Sequence, residues 1–196
     1  RYTNYPPYGL AVLARHLENT GVTSRICNLN HEVLRACHEA DSKDTFDFDT
    51  TWQNHLDTAI IEFQPDLIAI TCMFTMTHGA FVQVCERAAT SNIPVAIGGV
   101  HVSNDTDRVL DDIPAASFAF VREADTSLVT FINVIRGDAE PSALCQVVFN
   151  DTEGSLVSRT YFENELQPNA DTISVIPAYN LIDLKAYSDY GTVGAF

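Results

Sequence analysis

The sequence predicts an α/β protein built on a parallel sheet. Two short apolar runs carry this prediction, residues 67–72 and 94–98, because each ends abruptly in small or polar residues. Runs of this length, with a helical pattern between them, are typical of buried parallel strands. In open parallel sheets, ligands bind beyond the carboxyl ends of the strands. We therefore expect a binding site where these two runs end.

Helical and strand patterns alternate along most of the chain. Helices are predicted over residues 9–20, 30–40, 52–63, 77–90, 105–111 and 126–135. Strands are predicted over residues 24–29, 67–72, 94–98 and 117–121. The alternation predicts parallel strands joined by right-handed crossovers.

The chain opens on a loop around Pro6 and Pro7, with no strand before it. A Pro-Pro loop that opens a helix should follow a strand in an α/β domain. We therefore expect a fragment that lacks its first strand, which would be central, so that the fragment is unstable alone. With that strand restored, five parallel strands suit a flavodoxin-like (Rossmann-like) sheet of order 2-1-3-4-5.

The pattern changes after residue 140. Residues 145–158 alternate around a turn at 150–154, which predicts a β-hairpin. Residues 168–183 are irregular and contain prolines, so we expect a linker that leads out of the domain. The sequence thus predicts an α/β domain over residues 1–140, followed by a hairpin and linker over residues 141–196.

Composition excludes several classes of function. The 196 residues carry a net charge of −15, which argues against a nucleic-acid surface or an anionic membrane surface. No apolar run is long enough to span a bilayer, and no signal peptide is present. The five cysteines are scattered without a Cys-x-x-Cys pair, which favours reduced thiols and a cytoplasmic location.

Several short motifs follow one another in a definite order. They lie at residues 6–10, 29–30, 65–71, 98–101 and 121–125, with the segment 176–181 after the hairpin. This ordered set resembles the amino-terminal cobalamin-binding domain of radical S-adenosylmethionine enzymes, and the hairpin and the last segment resemble the linker that precedes the radical domain. The resemblance covers nearly the whole chain.

The resemblance implies a cobalamin cofactor and, in the parent enzyme, a 4Fe-4S cluster and S-adenosylmethionine in a radical domain downstream. The expected reaction is a methyl transfer to a small-molecule substrate. The cluster motif Cys-x3-Cys-x2-Cys is absent from this chain, so we expect no catalytic residue here. The motif Asp-x-His-x-x-Gly, which gives a histidine to cobalt, is absent too. We therefore predict no metal ligand, and cobalamin bound base-off without a histidine from the first loop.

The residues that the resemblance places against cobalamin cluster at predicted strand ends. They are Pro7, Thr71, Cys72, Met73, Phe74, Thr75, Gly98, Gly99, His101 and Glu123. The two glycines would leave a slot for the nucleotide tail. Structural roles stay open beside these contacts: capping hydroxyls for the threonines, core packing for the cysteine, a hydrogen-bonded ring for the histidine and a solvated strand end for the glutamate.

Other functions are kept as alternatives. A non-catalytic, flavodoxin-like module that binds or senses a small ligand competes with the enzyme domain, and a structural α/β fragment without cofactor is the third class. Dinucleotides and nucleoside triphosphates fit less well, because the chain has neither Gly-x-Gly-x-x-Gly nor a Walker loop to hold their phosphates.

Overall fold

The computed structural model describes residues 2–3, 5–153, 156–164 and 174–192. The helices are α1 (Tyr8–Glu18), α2 (Leu29–Glu39), α3 (Phe48–Phe63), α4 (His78–Ala89), α5 (Val100–Asn104), α6 (Thr106–Asp112), α7 (Ser127–Arg136) and α8 (Leu184–Tyr190). The strands are β1 (Tyr2–Thr3), β2 (Ile68–Thr71), β3 (Val95–Gly98), β4 (Ala116–Phe120), β5 (Val147–Glu153), β6 (Leu156–Phe162) and β7 (Gly191–Thr192). Single 3-10 turns lie at Thr75–Thr77, Pro141–Ala143 and Tyr179–Leu181.

The chain divides into two compact units. The first unit comprises residues 1–64 and 175–196, and the second comprises residues 65–174. These limits differ from the boundary near residue 140 that the sequence predicts. That boundary stays a prediction about the domains of the whole protein.

One mixed sheet forms the second unit, with its strands in the order β2-β3-β4-β5-β6. β2, β3 and β4 run parallel, so the prediction of an α/β fold with parallel core strands is confirmed. β5 pairs antiparallel with β4, and β6 pairs antiparallel with β5. The predicted hairpin therefore exists, but it extends the sheet rather than standing apart from it.

The strand order differs from the predicted 2-1-3-4-5. β2, β3 and β4 correspond to the third, fourth and fifth strands of the prediction, and they lie side by side in that order, as predicted. Residues 24–29, predicted as the second strand, form no strand, and α2 begins at Leu29. A strand needs a hydrogen-bonded neighbour to be stable, and none of the described strands pairs with this segment. The short strands β1 and β7 pair only with each other.

The core of the second unit is centred on β3. Val95, Ala96 and Ile97 each expose only 1% of their surface. An unbroken buried run suits a strand that is covered on both faces, as the apolar run in the sequence predicts. Beside it, the ring of Phe131 in α7 lies 4.7 Å from the ring of Phe118 in β4, edge to face. Such aromatic pairs add about 0.5–1.5 kcal/mol to the stabilisation from burial.

The helices of the second unit match the sequence in place, with one addition. α4 and α7 lie within one residue of their predicted ends, and α6 is shifted by one residue. α5 was not predicted. It is a single turn of five residues that follows Gly99 directly, too short to show a helical period in the sequence.

Hydrogen bonds fix the hairpin to the rest of the second unit. Residues 150–153, predicted as a turn, continue β5 instead. The buried amide of Asn150 donates to the Ala116 carbonyl at 2.8 Å and accepts from Nε of Arg159 at 3.2 Å. The Arg159 guanidinium also binds Asp111 at 2.6 Å and Asp107 at 3.3 Å, both in α6. The side chain of Arg159 thus connects both hairpin strands with a helix.

The first unit packs helices against the returning end of the chain. The amide of Ala178 donates to the Ala11 carbonyl of α1 at 2.9 Å. The ring of Tyr187 in α8 stacks on His31 of α2 at 4.0 Å, and its hydroxyl accepts from Asn28 at 2.7 Å. The described part of the predicted linker therefore turns back onto α1 and α2, because these contacts bury its apolar side chains. Residues 168–173 of that prediction lie outside the described residues.

The Arg159 contacts predict a stability difference between two arginine variants. Arg159→Met should lower the free energy of unfolding by about 1–3 kcal/mol, because it leaves the buried Asn150 amide oxygen without its donor. Arg25→Met is the matched control, since its ion pair with Glu62 is exposed and should contribute less than about 1 kcal/mol. Urea unfolding of the full chain, followed by circular dichroism, measures both. Equal losses in the two variants would contradict the role given to Arg159.

Candidate functional site

Backbone hydrogen bonds join the carboxyl ends of β2 and β3. The Cys72 amide donates to the Gly98 carbonyl at 2.9 Å, and the His101 amide donates to the Cys72 carbonyl at 3.2 Å. The Thr75 hydroxyl lies 3.2 Å from Nδ1 of His101. These contacts bring the two segments together at one edge of the sheet, as expected of neighbouring parallel strands. That they line a ligand cleft stays a prediction.

Gly99 is required by the protein's own backbone. Its φ of +99° and ψ of 175° lie in a region that is essentially confined to glycine. A Cβ atom here would come within 2.5 Å of the Cys72 carbonyl oxygen and 2.6 Å of the Thr71 hydroxyl oxygen. The space that a Gly99 side chain would occupy is therefore filled by the end of β2, and a contact of Gly99 with a cofactor stays a prediction.

Gly98 differs from its neighbour. It ends β3 in register with Thr71. A Cβ atom at Gly98 would meet the Phe120 carbonyl oxygen at 3.5 Å, an ordinary contact. The two adjacent glycines thus have different constraints, although the sequence presents them as one motif.

The β2 loop, residues 72–77, presents apolar side chains to solvent. Met73, Phe74 and Met76 expose 64%, 58% and 89% of their surfaces. Cys72 is turned inward instead, and its thiol contacts the Phe74 carbonyl at 3.5 Å and the Thr77 hydroxyl at 3.4 Å. Val100, just after the glycines, is 57% exposed. An exposed group of large apolar side chains at the edge where α/β sheets bind ligands indicates an interaction surface.

His101 is buried, with only 6% of its surface exposed, and both of its ring nitrogens are engaged. Nδ1 faces the Thr75 hydroxyl at 3.2 Å, and Nε2 faces Nδ1 of His78 at 2.9 Å. Burial lowers the pKa of His101 below its ordinary value of 6.5, and the neighbouring His78 lowers it further. The imidazole is therefore neutral at pH 7.

The chain of hydrogen bonds continues outward from His78. Its Nε2 lies 3.1 Å from a carboxylate oxygen of Asp112, at the end of α6. Four side chains thus form one line: Asp112, His78, His101 and Thr75. Sequence reasoning missed His78 and Asp112, because they are 23 and 34 residues from the partners they bind and share no motif with them.

Glu123 lies exposed in the loop after β4. That loop is tied to α5, since the Arg122 amide donates to the Ser103 hydroxyl at 2.7 Å. Arg122 itself adopts a positive φ of 61°, which is uncommon outside glycine. The loop thus has a defined path beside the β3–α5 turn, and the contact of Glu123 with a cofactor stays a prediction.

Pro7 belongs to the first unit, where it immediately precedes α1. That unit also holds a cavity of about 60 Å³. Its lining is drawn from α2, α8 and the segments that precede them, and includes His31, Glu32, Arg35 and Tyr187. None of the residues predicted to contact a cofactor lines this cavity.

The described residues contain neither a cluster of metal ligands nor a helix that could span a membrane. No three His, Cys, Asp or Glu side chains in the described ranges come together in a way that would hold a metal ion. Within the same residues, no helix has the length and apolar character needed to cross a bilayer.

Comparison with protein families decides the affiliation. The sequence model of the B12 binding domain matches residues 1–132, about two thirds of the chain. The chain belongs to the B12-binding domain family. No curated protein sequence matches it.

Solved structures share the fold of this B12-binding domain. The radical S-adenosylmethionine methyltransferase TsrM from Kitasatospora setae, with a tryptophan substrate and an S-adenosylmethionine analogue bound, aligns over 76% of the chain with a TM-score of 0.58 and 16% identity. The cobalamin-dependent radical enzyme OxsB, with aqua-cobalamin and S-adenosylmethionine bound, aligns over 90% with a TM-score of 0.51 and 14% identity. The chain spans only 26% of the first protein and 24% of the second.

The constraint on Gly99 predicts that two alanine variants of the B12-binding domain differ in stability. Gly99→Ala should lower the free energy of unfolding by at least about 2 kcal/mol, because it combines a strained backbone with a clash against Cys72. Gly98→Ala, the matched control, should change it by less than about 1 kcal/mol. Chemical unfolding of the full chain measures both values. A Gly99→Ala protein as stable as wild type would mean that the β2 carbonyl is not held against this glycine.

Proposed function

We propose that this B12-binding domain binds cobalamin at the carboxyl edge of its parallel strands, as part of a cobalamin-dependent radical S-adenosylmethionine enzyme. The observation that carries the proposal is the family match over residues 1–132, together with the meeting of β2 and β3 at that edge. Ligands of open parallel sheets bind at this edge. The second unit would contact cobalamin through Thr71, Met73, Phe74, Thr75, Gly98 and Glu123. The cofactor contact of Pro7, which belongs to the first unit, stays a separate prediction.

The exposed β2 loop supports cobalamin as the occupant. The corrin ring is broad, with apolar faces and amide side chains at its rim. Met73 and Phe74 offer exposed apolar surface for such a face, and the nearby hydroxyls of Thr71 and Thr75 offer hydrogen bonds to its rim. Covering these side chains would also remove apolar surface from water, at about 25 cal/mol per Å².

The chemistry is divided between cofactor and protein. Cobalamin, when bound, supplies a cobalt centre that carries a methyl group. The residues of this chain would bind and orient the cofactor and shield it from water. Cys72, Gly99 and His101 serve this role indirectly, since each of them holds the β2 loop or the β3–α5 turn in place.

The radical step belongs to another part of a longer protein in this proposal. The likeness in fold to part of TsrM and OxsB supports it, and the chain spans about a quarter of each. That other part would hold the 4Fe-4S cluster and S-adenosylmethionine and would methylate a small-molecule substrate. A cytoplasmic location agrees with the five free cysteines.

A non-catalytic module that binds or senses a small ligand is the second candidate. It shares with the first candidate the family match over residues 1–132, which concerns binding alone. The complete coding sequence separates the two candidates, because a three-cysteine cluster motif elsewhere in the protein supports the enzyme.

The apolar surface of the β2 loop predicts the effect of a truncation. Phe74→Ala should weaken cobalamin binding by about tenfold or more, because burying a phenylalanine side chain is worth about 1.5–3 kcal/mol. Ile135→Ala is the matched control: this residue is 61% exposed near the end of α7, away from the carboxyl edge of the sheet. Absorption titration of the full chain with hydroxocobalamin measures both affinities. Equal affinities in wild type and Phe74→Ala would move the site away from the β2 loop, and no binding by wild type would remove cobalamin as the ligand.

The hydrogen bonds of His101 predict the ligation of cobalt. Both ring nitrogens already have partners within the protein, so His101 should not bind cobalt. We expect base-off cobalamin without an axial histidine. Electron paramagnetic resonance of the cobalt(II) form should show no superhyperfine splitting from nitrogen. Splitting that is present in wild type and lost in His101→Ala would assign the axial position to this histidine.

A further inference from the structure

A line of four polar side chains connects the surface of the second unit with the candidate site. Asp112 contacts Nε2 of His78 at 3.1 Å, Nδ1 of His78 contacts Nε2 of His101 at 2.9 Å, and Nδ1 of His101 contacts the Thr75 hydroxyl at 3.2 Å. Exposure changes along the line: Asp112 is 45% exposed, His101 is buried and Thr75 is exposed again. Thr75 therefore has its oxygen both in this line and at the edge where a ligand would bind.

The chemistry of each group sets the direction of every hydrogen bond in the line. An ionised carboxylate only accepts, so Nε2 of His78 carries a proton and donates to Asp112. A neutral imidazole has one donor and one acceptor, so Nδ1 of His78 accepts from Nε2–H of His101. By the same rule, Nδ1 of His101 accepts, and the only proton that it can accept is that of the Thr75 hydroxyl.

We infer that Thr75 is a specificity-determining residue that presents only hydrogen-bond acceptors to the ligand, because its proton is directed to His101. It selects an N–H donor, such as the primary amide of a corrin side chain, and not a phosphate oxygen. This inference rests on the proposed cobalamin function and makes it more specific. His101, His78 and Asp112 are positioning residues, which act through Thr75.

The surroundings of His101 keep its imidazole neutral. Burial is the largest influence that lowers the pKa of His101, and His78 follows. Asp105 raises this pKa and Arg108 lowers it. On the α4 side, the ring of Phe81 lies 6.5 Å from the His101 ring and brings no charge. At pH 7 the line therefore has the direction that makes Thr75 an acceptor.

One added proton reverses the direction of the line. If the proton binds His101, Nδ1–H points at Thr75. The Thr75 oxygen then accepts from the ring, and its own proton turns outward to the ligand. Because the pKa of His101 is lowered, this reversal occurs below about pH 6.5.

The first experiment tests the direction of the hydrogen bonds in this line, and it needs no cofactor. The full chain is labelled with ¹⁵N-histidine, and long-range ¹H–¹⁵N correlation spectra are recorded at about pH 7.5, with His78→Gln and His101→Gln used for assignment. We expect both rings to be protonated on Nε2. A His101 ring protonated on Nδ1 would overturn the inference, whether or not the protein binds cobalamin.

The second experiment tests the consequence for the ligand. Hydroxocobalamin is titrated into the full chain, into Thr75→Val and into Thr75→Ser, between about pH 8 and about pH 5.5. The cobalamin affinity of wild type and of Thr75→Ser should fall about two- to tenfold on acidification. This factor corresponds to the free energy of one hydrogen bond. Thr75→Val should be weaker by the same factor at pH 8 and should show a smaller change with pH.

The outcomes separate the inference from the proposed function. Binding by wild type with the same pH profile in Thr75→Val would overturn the role of Thr75 and leave cobalamin binding in place. No binding by wild type at any pH would overturn the proposed function, and the selection of an amide with it. A Thr75→Val protein that binds more tightly at pH 8 would show that the hydroxyl faces an acceptor, which contradicts the inference directly.

Discussion

The close contact between the end of β2 and the turn after β3 is the constraint on which the rest of the candidate site depends. The Cys72 peptide is bonded on both sides, by the Gly98 carbonyl and by the His101 amide. This arrangement is possible because Gly99 has no side chain to separate the two backbones. It also starts α5 at a definite position, so that His101 is buried beneath Thr75. A tight backbone junction thus determines where the polar groups of the edge stand.

The parallel strands could be predicted from the sequence, because a strand that is buried on both faces leaves a short, unbroken apolar run. The meeting of the β2 loop with the glycine pair followed from the same topology, since parallel neighbours end at one edge. The role of Gly99 could not be predicted, because the sequence shows a missing side chain but not which atom approaches it. His78 and Asp112 were missed for a similar reason, since only the folded chain brings them beside His101.

The order of strands in the sheet depends on pairings between distant segments, which local sequence patterns do not predict. Residues 24–29 have the composition of a strand, yet they form none, since a strand depends on a partner elsewhere in the chain. The hairpin is the opposite case. Its strands were predicted locally, but its attachment to β4 depends on pairings such as Phe118 with Phe149, which no local pattern encodes. Tertiary pairing decides both outcomes.

The antiparallel hairpin has a consequence for how the domain can be cut. β4 has the apolar sequence Ala-Ser-Phe-Ala-Phe, and β5 pairs along one of its edges with the last three of these residues, Phe118, Ala119 and Phe120. The family match ends at residue 132, before the hairpin begins. A shortened protein that ended there would present an apolar strand with unpaired backbone groups, which is a template for edge-to-edge aggregation. The hairpin therefore protects the solubility of the sheet, and residues beyond the matched segment are part of the smallest unit that can be handled in solution.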